Sequence, residues 1–147
     1  MDEGPTDGEV IDALEATVAA GVAITAQALA RGEGTDLTLP MWRVLVVLGA
    51  DHRGATVSEV ARRIGGHGAG DEPAAPAPGG RGLVSLGADE RDHRAVRARL
   101  TDAGMAFRAD VLRRRRAAIG DALGGVTLGP STRAELALIG RLLGSRP

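Results

Sequence analysis

Apolar side chains recur at helical spacing in five stretches of the chain and alternate with polar side chains in another. A spacing of three to four residues marks the buried face of a helix, whereas alternation marks a strand with one covered face. Alternation occurs at Ala95–Leu100, where Arg97 and Arg99 share one strand face. The pattern therefore predicts a mainly α fold with a small β-hairpin. The helical stretches are Glu9–Arg31, Pro40–Gly49, Thr56–Ile64, Asp102–Leu123 and Ser131–Leu143.

Capping residues mark several helix starts. Thr56 and Glu59 have the spacing of a capping box, in which each side chain accepts the backbone N–H of the other residue. The same spacing recurs at Thr132–Glu135, and Thr101 is placed to cap the long helix that follows it. The acidic segment Met1–Gly8 is expected to be a disordered tail.

The predicted hairpin carries the clearest local charge. Leu83–Ser85 leads into a charged tip at Gly87–His93, and Ala95–Leu100 returns. The stretch from Arg81 to Thr101 contains five arginines and three acids, although the whole chain has a net charge of −1. Any attraction to nucleic acid must therefore be local.

The segment between the Thr56–Ile64 helix and the hairpin has an unusual composition. Gly65–Gly82 contains seven glycines, together with Pro73, Pro76 and Pro78. An interior Pro costs a helix about 3 kcal/mol and each Gly about 1 kcal/mol. We therefore expect residues 65–82 to be irregular, with no continuous helix across Gly68–Gly80.

Two runs on either side of that segment resemble the MarR family of bacterial transcriptional regulators. The first is Leu37–Leu48, with Trp42-Arg43-Val44-Leu45 at its centre. The second is Asp92–Gly104, which has the order D-x-R followed by L-T-x-x-G and is the more specific of the two. The resemblance covers roughly Leu37–Leu143 and departs from the family at Gly68–Gly80. It implies a winged helix-turn-helix with a helical dimerisation domain and double-stranded DNA as partner.

The resemblance assigns the domain organisation and the DNA-binding residues. Residues 1–147 form a single MarR-like domain, with a winged helix-turn-helix at 38–101 and a helical dimerisation region at 9–31 and 102–147. In MarR-like wings the tip arginine enters the minor groove and a nearby aspartate holds it by an ion pair, and by motif position the resemblance makes these Arg94 and Asp92. The alternative is a solvated hairpin tip. The predicted DNA-binding residues are Arg94, Asp92, Arg91, Arg97 and Arg81.

Three interpretations of the glycine- and proline-rich segment stay open. It is a natural loop in a protein that has lost major-groove reading, or a disordered insertion beside a short helix. The third interpretation is an out-of-frame reading. With codons chosen to suit, a shift of one base converts residues 67–82 into TGPVTSRLLRRLEAAG, which has the character of a recognition helix. Base-edge readout would be largely lost from the chain as written.

The terminal helices carry more apolar surface than one small DNA-binding head covers, which predicts a two-fold homodimer. The run Arg113–Arg116 points around the whole helix, so we interpret it as solvated or paired with acids of a partner subunit.

Trp42 is a candidate contact for a small aromatic ligand, although a core position is favoured. A helical dimer that senses a small molecule or binds a protein without DNA is the alternative function.

Other classes of function find little support. The chain has no Cys, and His52, His67 and His93 are scattered, so neither a metal site nor a cofactor is expected. No nucleophile–base pair or carboxylate pair stands out, and an enzyme is not expected. Val44–Leu48 is too short to cross a bilayer, which takes about 20 residues. We therefore expect a cytoplasmic protein without a membrane partner.

Overall fold

The computed structural model of the chain describes residues 5–31, 37–65, 82–90 and 92–144. It is mainly helical with a small antiparallel sheet, which confirms the predicted fold class. The prediction that Gly65–Gly82 is irregular falls mostly on residues 66–81, which lie outside the described residues. The elements are α1 Asp7–Ala30, α2 Leu39–Leu48, β1 Ala55–Thr56, α3 Val57–Gly65, β2 Val84–Ala88, β3 Val96–Leu100, α4 Asp102–Leu123 and α5 Pro130–Gly144.

Threonine side chains cap four of the helices, including Thr56 at the start of α3. Thr38 and Thr101 are the N-caps of α2 and α4, as their side chains accept backbone N–H groups three residues later. Thr6 caps α1 in a full capping box with Glu9, so the prediction of a tail through Gly8 was wrong. The second predicted box, at Thr132–Glu135, was also wrong, because α5 already begins at Pro130 and Thr132 lies inside it.

The hairpin belongs to a sheet with the strand order β1-β3-β2. β2 and β3 pair from Val84 opposite Leu100 to Ala88 opposite Val96. The two-residue strand β1 adds to the other edge of β3, and the sequence pattern did not predict it, because two residues show no alternation. Gly54 allows this approach: its φ is 71°, and a Cβ there would lie 2.1 Å from the carbonyl oxygen of Ala98.

The core is built around α2, which packs against α3, α4 and β3. Leu45 and Leu48 are almost completely buried, and Trp42 is buried beside them. The C-terminal end of α1 adds Leu29, which joins the same core as Val111 of α4. Helical spacing predicts that Val46 and Val57 lie on the buried faces of their helices, and both predictions are wrong, because the buried stripes are narrower than the spacing indicates. Val46 on α2 and Val57 on α3 are both exposed.

Large apolar side chains are exposed along the N-terminal part of α1 and on α5. Thr25, Ala28 and Leu29 are the buried residues of α1, all near its C-terminal end. By length and composition alone, α1 could also cross a membrane, although core helices of soluble proteins meet the same criterion. The exposed residues in question are Val10, Ile11, Val18, Val22, Leu136, Leu138 and Leu142.

Candidate nucleic-acid interface

The β2–β3 hairpin, called the wing below, ends in a tightly hydrogen-bonded tip. The N–H of Asp89 donates to the carbonyl oxygen of Ala95 at 2.9 Å, and the N–H of Ala95 donates to that of Asp92 at 2.8 Å. The N–H of Asp92 donates to Oδ1 of Asp89 at 3.1 Å. These bonds fix the backbone on both sides of Arg94, which is exposed at the end of the hairpin.

The relation between Arg94 and Asp92 differs from the side-chain ion pair that the resemblance implied. Oδ1 of Asp92 accepts the backbone N–H of Arg94 at 3.0 Å, an Asx-turn contact. Among the residues that the structure describes, no acid forms an ion pair with the Arg94 guanidinium. Asp92 therefore shapes the turn and leaves the charge of Arg94 directed at solvent.

Arg97 and Arg99 share a strand face, as predicted, but both turn towards the protein. Arg97 donates from Nε to Oδ2 of Asp89 at 2.5 Å and from Nη1 to the carbonyl oxygen of Gly54 at 2.9 Å. Arg99 donates from Nε to the carbonyl oxygen of Arg53 at 3.1 Å, and its Nη2 lies 3.3 Å from Glu90. This face of the sheet thus holds the wing against the segment that precedes α3.

The start of α3 is fixed by the predicted capping box. The Thr56 N–H donates to Oε2 of Glu59 at 2.7 Å, and the Glu59 N–H donates to Oγ1 of Thr56 at 3.2 Å. The backbone N–H of Thr56 and, to a smaller extent, its hydroxyl both donate to the Glu59 carboxylate, which holds the pKa of Glu59 below its ordinary value. Both bonds favour the charged carboxylate at the positive end of the helix dipole.

The structure places only part of the predicted DNA-binding set. Arg94, Asp92 and Arg97 lie together in the wing. Arg81 and Arg91 lie outside the described residues, as does the segment where a recognition helix is expected. The arginine run on α4 is partly paired within its own helix, since Arg113 and Arg114 both form ion pairs with Asp110.

A second feature is a cavity of about 640 Å³ bordered by α1, α2, α3 and α4. Its apolar wall includes an edge of Trp42, with Val46 and Ile64. Arg43, Arg63 and Arg115 also line it, from three different helices. Nε of Arg115 is buried and has no hydrogen-bond partner among the described residues. The cavity thus combines apolar walls with three cationic side chains.

Two residues of these sites were missed by the sequence patterns. Asp89 is 3% exposed, yet it was counted only as one of the acids at the tip. The hairpin register pairs Gly87 with Arg97, so Asp89, two residues further along the same face, lies diagonal to Arg97. Arg43 donates to the carbonyl oxygen of Ile64 at 3.0 Å, and no short-range pattern links these positions. Within the described residues no group of three His, Asp or Glu side chains is placed to hold a metal ion.

Comparison with known proteins supports the fold. No protein-family model and no curated protein matches the chain. Solved structures match over nearly its whole length at low identity. A MarR-family transcriptional regulator from Rhodococcus sp. RHA1 has a TM-score of 0.67 and 19% identity, covering 97% of each chain.

Two further matches were solved with ligands. CouR from Rhodococcus jostii RHA1, bound to p-coumaroyl-CoA, has a TM-score of 0.67 and 18% identity, covering 99% of this chain and 98% of CouR. PcaV from Streptomyces coelicolor, in complex with its natural ligand, has a TM-score of 0.59 and 23% identity, covering 99% and 96%. At these identities the likeness establishes that the chain has the fold of these transcriptional regulators.

Proposed function

We propose that this protein is a cytoplasmic DNA-binding transcriptional regulator of the MarR type, without a catalytic role. The observation that carries the proposal is Arg94, an exposed arginine held at the end of a rigidly turned wing. A narrow minor groove concentrates negative potential and accepts a guanidinium. The wing thus provides a rigid support and a cation at its tip that no described acid pairs with, as minor-groove insertion requires.

Homodimerisation is part of the proposal. The exposed apolar residues of α1 and α5 lie at opposite ends of the sequence, and α5 packs hardly at all against the other described elements. A self-complementary contact between two copies would cover both sets at once. It would also present two wings to one duplex, which matches the two-fold symmetry of an operator.

Duplex binding measured over a range of salt concentrations tests the function. Neutralised phosphates release counterions, so the affinity of a DNA-binding protein falls steeply as salt rises. Arg94→Ala should weaken binding by about 1–3 kcal/mol. The matched control is Arg116→Ala, an exposed arginine on α4, which should change affinity little. Equal losses would contradict the role of Arg94, and no salt-dependent binding would favour the alternative, a helical dimer that senses a ligand or protein without DNA.

The cavity supports the further proposal that the regulator responds to a small-molecule ligand. We infer that it takes an anion with an aromatic body, because Arg43, Arg63 and Arg115 line it together with Trp42 and other apolar side chains. CouR, with the same fold, was solved with p-coumaroyl-CoA. A thermal-shift titration with p-coumaroyl-CoA and with free p-coumarate should stabilise the wild type more than Arg115→Met. Equal stabilisation of the two proteins would place the ligand elsewhere.

A further inference from the structure

Arg97 connects the tip of the wing to the start of α3. Its Nε bonds to Asp89, whose other carboxylate oxygen accepts the N–H of Asp92 in the tip turn. Its Nη1 donates to the carbonyl oxygen of Gly54, immediately before β1. β1 leads directly into α3, because Thr56 ends the strand and Val57 begins the helix. A single side chain therefore links the tip of the wing to the segment that leads into α3.

The surroundings of this contact favour a fixed geometry. The Arg97 side chain is 20% exposed and that of Asp89 is 4% exposed. Charged hydrogen bonds in such surroundings are short and strong, and they are little screened by salt. The backbone beneath is also tight, since Thr56 pairs with Arg97 across β1 and β3. By contrast, the exposed pair of Arg99 with Glu90 has side chains 42% and 86% exposed.

We propose that Arg97 is a positioning residue, which with Asp89 sets the wing at a fixed angle to α3, and that it makes no phosphate contact. The guanidinium uses Nε and Nη1 on protein acceptors, so little of it is available to a duplex. This inference rests on the proposed DNA binding and assigns Arg97 a role different from that of Arg94.

Asp89→Asn distinguishes positioning from simple electrostatics by the sign of its effect. If the wing acted only through its charge, removing an acid would raise the affinity for DNA. If Asp89 and Arg97 position the wing, the same change lowers it, by roughly tenfold for one charged hydrogen bond. The charge-matched control is Glu90→Gln, an exposed acid beside Asp89 in the sequence, which should leave affinity equal or slightly raised.

The salt dependence of binding separates Arg97 from a contact residue. Loss of a phosphate contact lowers the slope of log K against log salt by about 1. Arg97→Gln should weaken binding roughly tenfold with the slope unchanged. In the double variant with Asp89→Asn, which removes both charges of this ion pair, affinity should fall no further than in Arg97→Gln alone. A lower slope in Arg97→Gln, or tighter binding by Asp89→Asn, overturns the proposal.

Hydrogen exchange of the free protein tests the link between the wing and α3 without relying on DNA binding. Arg97→Gln should speed exchange of the amides of β1 and of Asp92, while Arg94→Gln should not. If the wild type binds no duplex, the DNA-binding function fails, and faster exchange in Arg97→Gln still supports the fixed wing. Unchanged exchange in Arg97→Gln overturns the link between the wing and α3.

Discussion

Arg43 on α2 donates a hydrogen bond of 3.0 Å to the carbonyl oxygen of Ile64 in the last turn of α3. That carbonyl belongs to the helix end, where no intrahelical donor is available. Arg43 and Ile64 also line the 640 Å³ cavity. The same side chain therefore lines the proposed ligand site and contacts the end of the helix that leads into the glycine- and proline-rich segment.

Arg43→Gln should lower the free energy of unfolding by about 1 kcal/mol, the usual worth of one such bond. The reason is that the Ile64 carbonyl loses its charged donor. Arg62→Gln is the control, because Arg62 is an exposed arginine on α3, and its effect should stay within about 0.5 kcal/mol. Urea unfolding measures both. Similar losses in the two variants would show that the Arg43 bond has no specific effect.

Two glycines of α4 should respond in opposite ways to alanine. A Cβ on Gly104 would lie 2.0 Å from the carbonyl oxygen of Leu83, so Gly104→Ala forces α4 away from the wing and should prevent stable folding. Gly120 has no such neighbour within 4 Å, and Gly120→Ala should stabilise the protein by about 1 kcal/mol. Thermal unfolding of both variants checks this, and a tolerated Gly104→Ala would contradict the close contact.

Sequence patterns predicted the structural features that depend on residues close together in the chain. The Thr56–Glu59 box, the Thr101 cap and the wing strands all follow from short-range spacing, and the structure has each of them. Long-range contacts were not predictable in this way. β1 exists only because Ala55 lies beside Ala98, and the inward turn of Arg97 depends on Asp89 and Gly54.

The stripe on α1 shows a different limit. Helical spacing identified Val18 and Val22 as apolar positions, yet both are exposed in the single chain. Spacing shows that one face of the helix is apolar, but it does not show which surface, of the same chain or of another, covers that face. For the same reason Val46 was assigned to the core although it borders the cavity.

Glu59 should make stability depend on acid pH. Its folded-state pKa is lowered, so the carboxylate stabilises the fold above its ordinary pKa of about 4.3, and this stabilisation is lost as pH falls through the folded value. Glu59→Gln should therefore melt at a lower temperature than the wild type at neutral pH. The difference should shrink below about pH 4. Glu15→Gln, at an exposed acid on α1, is the control, and a pH-independent difference for Glu59→Gln would exclude its charge as the cause.

Leu136→Glu should convert the dimer to a monomer at micromolar concentration, because it buries a charge in the proposed contact of α5. Leu136 is 49% exposed in the single chain. Leu86→Glu is the matched control, since Leu86 is a similarly exposed leucine in the wing and lies outside that contact. Analytical ultracentrifugation measures both. Dissociation by Leu86→Glu alone would move the interface to the wing.

The last prediction concerns residues 67–82, most of which lie outside the described residues. Their glycines and prolines oppose a recognition helix, while base-edge contacts supply most sequence discrimination. The chain as written should therefore bind duplex DNA weakly and with little sequence preference. A variant with TGPVTSRLLRRLEAAG in place of residues 67–82 should select one operator from a random duplex library, with a specificity ratio of about 10³ or more. A scrambled insert of the same composition controls for added charge. Tight selection of a single operator by the chain as written would contradict this view of its central segment.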